Sequence, residues 1–457
     1  MDQPPLIERI RTYRFSPTQI LVIGYLVLIA SGTFLLSLPF AAQEGRDISL
    51  MDAVFTATSA ICVTGLIIKD TPVDFSLFGQ LVILLLVQLG GMGYMSAATL
   101  LLLLVGKRIG LRERMVIQET LSTFTLGGLV RFLKNIAKFV LLVELVGAIF
   151  LTARFMSDYP FGKAAYLGIF HSISAFNNSG FSLFKGSMAQ YREDWVTNGV
   201  MILLILMGGI GFLVYQDVRQ WLNKEVSRIS LHSKVVLVAT AGIVFFGWAG
   251  FLVFEHDNPR SLGVLPWHEM GLTSLFQTVS IRTAGFSTTA IAPLSEPTLY
   301  LLILLMFVGG SPGSTGGGIK TTTLAVMIVS LWATMRGREE ATIFYRRIPS
   351  MVIAKAFFLA ALAMMLVTGE TLLLLYTEGQ PFLRTLFEVT SAAGTVGMST
   401  GDGAGRSFCA VFTDFGKSVI ILTMLLGRIG PLLIGMSAMA QAHRSRVRYP
   451  EGKIVIG

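Results

Sequence analysis

Four glycines, Gly65, Gly180, Gly285 and Gly397, each close a short segment of small or polar residues set between long apolar runs. The segments read Val63-Thr64-Gly65-Leu66, Asn178-Ser179-Gly180-Phe181, Thr283-Ala284-Gly285-Phe286 and Thr395-Val396-Gly397-Met398. Glycine holds left-handed or mirror-β backbone that costs another residue roughly 1–2 kcal/mol, so it lets neighbouring carbonyls turn toward one axis. Carbonyl dipoles gathered on an axis can replace the hydration shell of a cation, which is the chemistry of an ion filter. One such turn is an ordinary loop, but four at matched places form a pattern. The fourth is nearest to the filter pattern Thr-Val-Gly-Tyr-Gly, and with one glycine per segment the chain should build fewer carbonyl rings.

Two further features carry chemistry. The run Gly309-Gly310-Ser311-Pro312-Gly313-Ser314-Thr315-Gly316-Gly317-Gly318 sets six glycines and a proline inside an apolar stretch. No helix continues through that composition, and the backbone groups it frees at membrane depth must line a cavity. Lying just below the third glycine turn, the loop could obstruct a pore. A phosphate loop needs adjacent Gly-Lys, and Ile319 separates Gly318 from Lys320, so the run does not read as a nucleotide site. Arg428 stands in another apolar run, where a central arginine costs about 2.5–3.5 kcal/mol, so it should face the bundle interior, either as a structural staple to helix-end carbonyls or, as favoured, as a gate charge beside the cation path that limits conduction and pairs with the polar loop.

Other ionisable or polar groups in apolar surroundings have structural readings. Arg282 is expected to pin the third turn by hydrogen bonds to backbone carbonyls, and Glu388 either to stabilise a cation or, as slightly favoured, to hold its short helix. Asn177 and Asn178 either lend side-chain oxygens to the second turn or tolerate it for backbone reasons. Glu144 and Glu370 fall in spanning runs. The five histidines show no His-Glu-x-x-His spacing, and Cys62 and Cys409 no metal spacing, so no enzyme site emerges.

These groups need elements to hold them. Hydrophobic residues make up 53% of the chain and charged ones 14%, against about 25% charged in soluble domains, which puts the chain in a membrane. Apolar runs at 19–40, 77–105, 139–155, 196–214, 235–254, 299–332 with a break, 352–376 and 419–439 are read as eight spans, since about 20 residues cross a bilayer core. Segments 49–60, 163–176, 266–280 and 381–393 are too short to cross and read as re-entrant helices, two of them opened by proline in the first turn. The fold class is therefore an all-α membrane protein of four span, short helix, turn and span repeats in pseudo-fourfold arrangement around a central pore. The repeats are expected at 1–110, 111–222, 223–335 with the loop at 309–318, and 336–443, with a cytoplasmic tail at 444–457. Gly-Gly-x-Gly at 90–93 and 208–211, and the glycines at 427–430, read as close helix packing, so only the third copy should be broken.

The net charge of +9 follows topology better than nucleic-acid binding. Arg9, Arg11, Arg14, Lys107, Arg108, Arg112, Arg114, Lys224, Arg228, Lys234, Arg336, Arg338, Arg346, Arg347, Arg444, Arg446 and Arg448 occupy alternate connections. Glu44, Asp70, Asp74, Glu193, Asp194, Glu255, Asp257, Glu296 and Asp402 occupy the others, so both termini are expected in the cytoplasm. The polar, arginine-bearing start lacks a small-residue cleavage signature, so the first span reads as retained.

With Ser-Ile-Arg-Thr-Ala-Gly-Phe at 280–286, the four single-glycine turns, the run at 309–318 and Gly427-Arg428-Ile429-Gly430, nearly the whole chain resembles the Trk/Ktr/HKT superfamily of potassium transporters, and within it the KtrB-type translocating subunits. The resemblance implies potassium as substrate, with sodium as a candidate activator whose site no residue here assigns, and no covalent cofactor. It implies residues 309–318 as a gate loop, a homodimer in the inner (cytoplasmic) membrane, and a cytoplasmic nucleotide-sensing RCK ring of the KtrA type as partner. Two classes stay open: a gated potassium conduit, and a sodium- or proton-coupled carrier working by alternating access. Repeats of one topology with a single broken helix favour the conduit.

Overall fold

The computed structural model describes residues 17–93, Ser96 and residues 129–440. The N-terminal arginines, the basic residues 107–114, the repeat boundary near 110 and the tail lie outside the described residues. Each repeat runs span, short helix, turn, second span. Repeat one comprises α1 (Pro17–Leu36), α2 (Leu50–Ile61) and α3 (Leu77–Gly91), and repeat two α4 (Leu129–Phe155), α5 (Phe161–Phe176), α6 (Trp195–Ile210) and α7 (Phe212–Leu222). Repeat three comprises α8 (Leu231–Glu255), α9 (Trp267–Ser280), α10 (Glu296–Phe307) and α11 (Thr321–Met335). Repeat four comprises α12 (Ser350–Glu378), α13 (Phe382–Gly394) and α14 (Asp414–Ala440).

Four of the described helices are apolar and long enough to cross a membrane on their own: Gln19–Leu36, Val130–Phe155, Leu231–Glu255 and Ser350–Glu378. They are the first spans, and large apolar side chains such as Leu26, Leu141, Phe246 and Met365 stand exposed on their outer faces, as suits contact with lipid. The short helices are the re-entrant segments expected. A Ser49–Asp52 capping box starts α2. Pro160, Pro266 and Pro381 precede α5, α9 and α13 at the N-cap, one position before the first turn where the sequence placed two of them.

The second spans depart from expectation, because the third is not the sole broken copy. Repeat one's helix ends at Gly91 with Gly93 at φ 74°, and repeat two's turns by 98° at Gly211, whose φ is 102°. At Gly211 a side chain would press on the Pro312 carbonyl, and Phe212 N–H donates to Gly313 O at 2.9 Å, so the third repeat's loop dictates the second repeat's bend. The packing reading also holds: a Cβ at Gly90, Gly208 or Gly427 would collide with the carbonyl of Ile61, Phe176 or Ala393, each at the end of a short helix. An unforeseen antiparallel pair, β1 (Thr342–Ile343) with β2 (Arg346–Arg347), closes over Phe344 and Tyr345, both at positive φ, as a two-residue hairpin turn requires.

The repeats close on themselves. Each second span packs on the short helix of the next repeat, α3 on α5, α6 on α9, α10 on α13, and α14 returns to α2. Inside a bilayer, close van der Waals packing, more than water exclusion, holds such a ring, which explains small residues at these contacts.

Candidate functional site

The ring brings the four glycine turns together at the C-terminal ends of α2, α5, α9 and α13. Gly65, Gly180, Gly285 and Gly397 have φ of 88°, 74°, 71° and 85°. Space forbids side chains as firmly as the backbone does. A Cβ on Gly65 would meet the Ser179 carbonyl, one on Gly285 the Val396 carbonyl and one on Gly397 the Thr64 carbonyl. One on Gly180 would lie 2.9 Å from the Ala284 carbonyl oxygen. Thus each turn abuts the next in cyclic order, and Val63, Thr64, Asn178, Ser179, Thr283, Ala284, Thr395 and Val396 are all buried around the same axis. Four helix C-termini add their partial negative charge there. Such an arrangement suits a cation that has shed its water.

Serines missed in the sequence reading hold three of these turns through their hydroxyls, while Ser391 Oγ beside the fourth has no hydrogen-bond partner among the described residues. Ser59 Oγ donates to Leu66 O at 2.8 Å and accepts from Gly65 N–H at 3.0 Å. Ser174 Oγ donates to Phe181 O and Ser280 Oγ to Phe286 O, both at 2.6 Å. Their fixed spacing was the available signal: the serine precedes the glycine by six residues at Ser59, Ser174 and Ser391 and by five at Ser280. The third turn is therefore one residue shorter. Val63, Asn178 and Thr395 are left-handed (φ 56°, 57° and 49°), whereas Thr283 is not, and both Ala284 and Gly285 N–H donate to Ser280 O.

The loop 309–318 lies directly against three of the turns. Val308 and Ile319 bridge its two ends, and Gly309 N–H donates to Ile319 O at 2.8 Å. The Thr315 hydroxyl and the Asn178 amide pair at 2.8 Å, and Gly317 N–H donates to Thr395 Oγ1 at 3.1 Å. A Cβ on Gly316 would press on Thr283. Ser311 and Thr315 N–H donate to Gly209 and Gly208 O, and Ser314 Oγ closes on Ser311 O. Gly310, Pro312, Gly313 and Gly318 complete the segment, with Gly313 and Gly318 at positive φ. Arg428 donates to Thr315 O and Gly90 O, each at 2.5 Å, and so ties the loop to repeat one. Lys320 Nζ donates to Gly316 O at 2.8 Å.

Four side chains sit differently from their sequence readings or resolve them. Arg282 does not pin its turn: Nε and Nη2 have no hydrogen-bond partner among the described residues, and Ser280 does that work. The Asn177 and Asn178 amides face the scaffold and the loop, so neither lends its oxygen to the ring. Glu388 accepts from Ser399 Oγ at 2.6 Å and Cys409 N–H at 2.9 Å, a structural role. His171 is likewise bound to Leu167 O and Ser182 Oγ inside an aromatic cluster.

Above the ring opens a cavity of about 560 Å³, lined by the four glycines with Asp70, Arg384, Asp402 and Arg406 at its rim. Burial, with the neighbouring Asp74 charge, pushes the Asp70 carboxyl up to about 6, against the pull of Lys185. Burial also raises Asp402, but N–H donors of Ala404 and Arg406 and the Arg406 guanidinium outweigh it and hold that carboxyl below the usual range. Asp70 is thus the rim charge poised to change near neutral pH.

The model of the TrkH family, described as cation transport protein, matches residues 12–443. The chain is 39% identical over 448 residues to the Ktr system potassium uptake protein B of Bacillus subtilis (strain 168), covering 98% of both chains. It is 34% identical over 456 residues to the potassium/sodium uptake protein NtpJ of Enterococcus hirae, covering 98% of this chain and 99% of that one. The crystal structure of the potassium transporter TrkH from Vibrio parahaemolyticus superposes with a TM-score of 0.70 over 95% of this chain and 86% of that one, at 22% identity, a likeness of fold alone.

Proposed function

The chain belongs to the TrkH family of cation transport proteins, ion transporters and not enzymes, and on that premise we propose that it takes up potassium through the ring of glycine turns. The observation that carries this reading is the cyclic abutment of four left-handed glycines, each excluding a side chain by contact with its neighbour. Potassium sheds water at carbonyls of residues 63–65, 178–180, 283–285 and 395–397, and the helix C-termini offset part of the dehydration. The loop 309–318, stapled by Arg428, is the barrier beneath.

Several finer points belong to the same proposal. The acidic connections face outward and the termini inward, in a bacterial cytoplasmic membrane, by the distribution of basic residues. Two copies form the working transporter, with a cytoplasmic nucleotide-binding RCK ring shifting the loop, and sodium acts as an activator. The Ktr name of a 39% identical relative supports a regulated multi-component system.

The test is potassium and sodium flux through the purified chain in liposomes, compared with a variant lacking residues 313–318. Wild-type flux should favour potassium, and the deletion should raise flux while keeping that preference. Unaltered flux in the deletion would refute the gate, and equal passage of both ions in the wild type would refute the filter.

A further inference from the structure

A buried carboxyl stands at the seam between repeats one and two. Glu144, 6% exposed, lies mid-span in α4, where an ionisable group needs a partner and a purpose. Asn177 Nδ2 donates to Glu144 Oε1 at 3.0 Å, to Gln88 Oε1 at 2.7 Å and to Ile173 O at 2.9 Å. Gln88 Nε2 donates to Glu144 Oε2 at 3.2 Å. The three side chains come from α3 of repeat one and α4 and α5 of repeat two.

Position gives the cluster its reach. Asn177 caps α5 and immediately precedes Asn178, the left-handed residue of the second turn. Matching positions in the other repeats hold Cys62, Arg282 and Gly394, so an amide stands here in repeat two alone. Gly91 makes room, since a Cβ there would collide with the Asn177 amide. Its neighbour Gly90 supplies the carbonyl that receives Arg428.

Asn177 Nδ2 shares two hydrogens among three acceptors and its Oδ1 has no hydrogen-bond partner among the described residues, yet the contacts among the three side chains match in one arrangement. Glutamate accepts on both oxygens, which meets one amide donor from Gln88 and one from Asn177. A glutamine at 144 would turn one acceptor into a donor facing a donor. Flipping the Gln88 amide to relieve this would set its nitrogen against Asn177 Nδ2. Exchanging the two residues restores the match: Glu at 88 accepts from Asn177 and from Gln at 144, whose oxygen accepts from Asn177.

We propose that Glu144, Gln88 and Asn177 are positioning residues that latch the second glycine turn and set its discrimination between potassium and sodium. The proposal rests on the ring being the ion filter. It is tested with the full chain in liposomes by the ratio of potassium to sodium flux in wild type, E144Q and the exchange variant Q88E/E144Q, with detergent-solution monodispersity as the check on folding. Loss of one hydrogen bond to a charged group is expected to lower the ratio at least about fivefold in E144Q, and the exchange variant should recover it.

A wild-type ratio in E144Q, or an exchange variant no better than E144Q, would overturn the latch. Should E144Q fail to fold, the exchange variant decides alone: a wild-type ratio supports the latch and a collapsed one refutes it. A wild type that passes both ions equally overturns the filter and the latch together. Selectivity lost in a Gly285 variant yet kept in E144Q overturns the latch and leaves the filter standing.

Discussion

Alanine at each ring glycine in turn should weaken potassium binding by unequal amounts, in an order set by local space. The left-handed backbone alone costs alanine roughly 1–2 kcal/mol at every position. At Gly65, Gly285 and Gly397 the new methyl overlaps a neighbouring carbonyl oxygen, with further backbone atoms at 3.0, 3.1 and 2.9 Å behind it, so the carbonyl must move. At Gly180 the nearest atom is Ala284 O at 2.9 Å and the next is 3.4 Å away, which a shift of a few tenths of an ångström relieves. A displaced carbonyl takes one dipole off a dehydrated ion. Taken as a hydrogen bond to a charged group, that contact is worth about 1.5–3 kcal/mol, or roughly tenfold to a hundredfold in affinity. The assay is uptake into proteoliposomes across a range of external potassium. G65A, G285A and G397A should raise the half-saturating concentration by that factor, and G180A by clearly less. Equal shifts at all four positions, or G180A as the most severe, would refute the steric reasoning.

The remaining predictions concern the barrier and the mouth. Replacing Arg428 with glutamine removes the charged donors to Thr315 O and Gly90 O, each worth about 1.5–3 kcal/mol; basal potassium flux should rise about tenfold or more, and flux at or below wild type would contradict the staple. Because the Asp70 pKa is raised to about 6, its negative charge is present above that pH and lost below it. Uptake from subsaturating potassium should therefore fall between pH 7 and pH 5, while D70N should be lower at pH 7 and flat across the range; a wild-type pH profile in D70N would remove Asp70 from the path.

The four short helices were legible because length and caps are local properties: each is too short to cross, and a serine or proline marks its start. The glycine turns were legible because positive φ at a fixed place in each repeat leaves glycine as the ready choice. The bend at Gly211 was not, since Gly-Gly-x-Gly reads equally as packing or as a break, and the deciding contact comes from Pro312, in another repeat. Arg282 misled for a related reason. The third turn is one residue shorter than its siblings and is tied by Ser280, whose carbonyl accepts from the Ala284 and Gly285 N–H groups and whose hydroxyl donates to Phe286 O. The serine spacing that would have revealed this was present but became informative once the turns were superposed. The two-residue hairpin at 342–347 offered no glycine or asparagine, and Phe344 and Tyr345 take the positive φ themselves.

The central claim, a conduit in which the ring of carbonyls selects potassium and the loop limits its flow, is tested most directly by flux through the purified chain in liposomes with the membrane potential clamped. Under a potassium gradient alone, with no sodium or proton gradient, potassium should move down its gradient and sodium should not. Potassium flux that appears only when a sodium or proton gradient is imposed would contradict the conduit and identify the ring as the binding site of a coupled carrier.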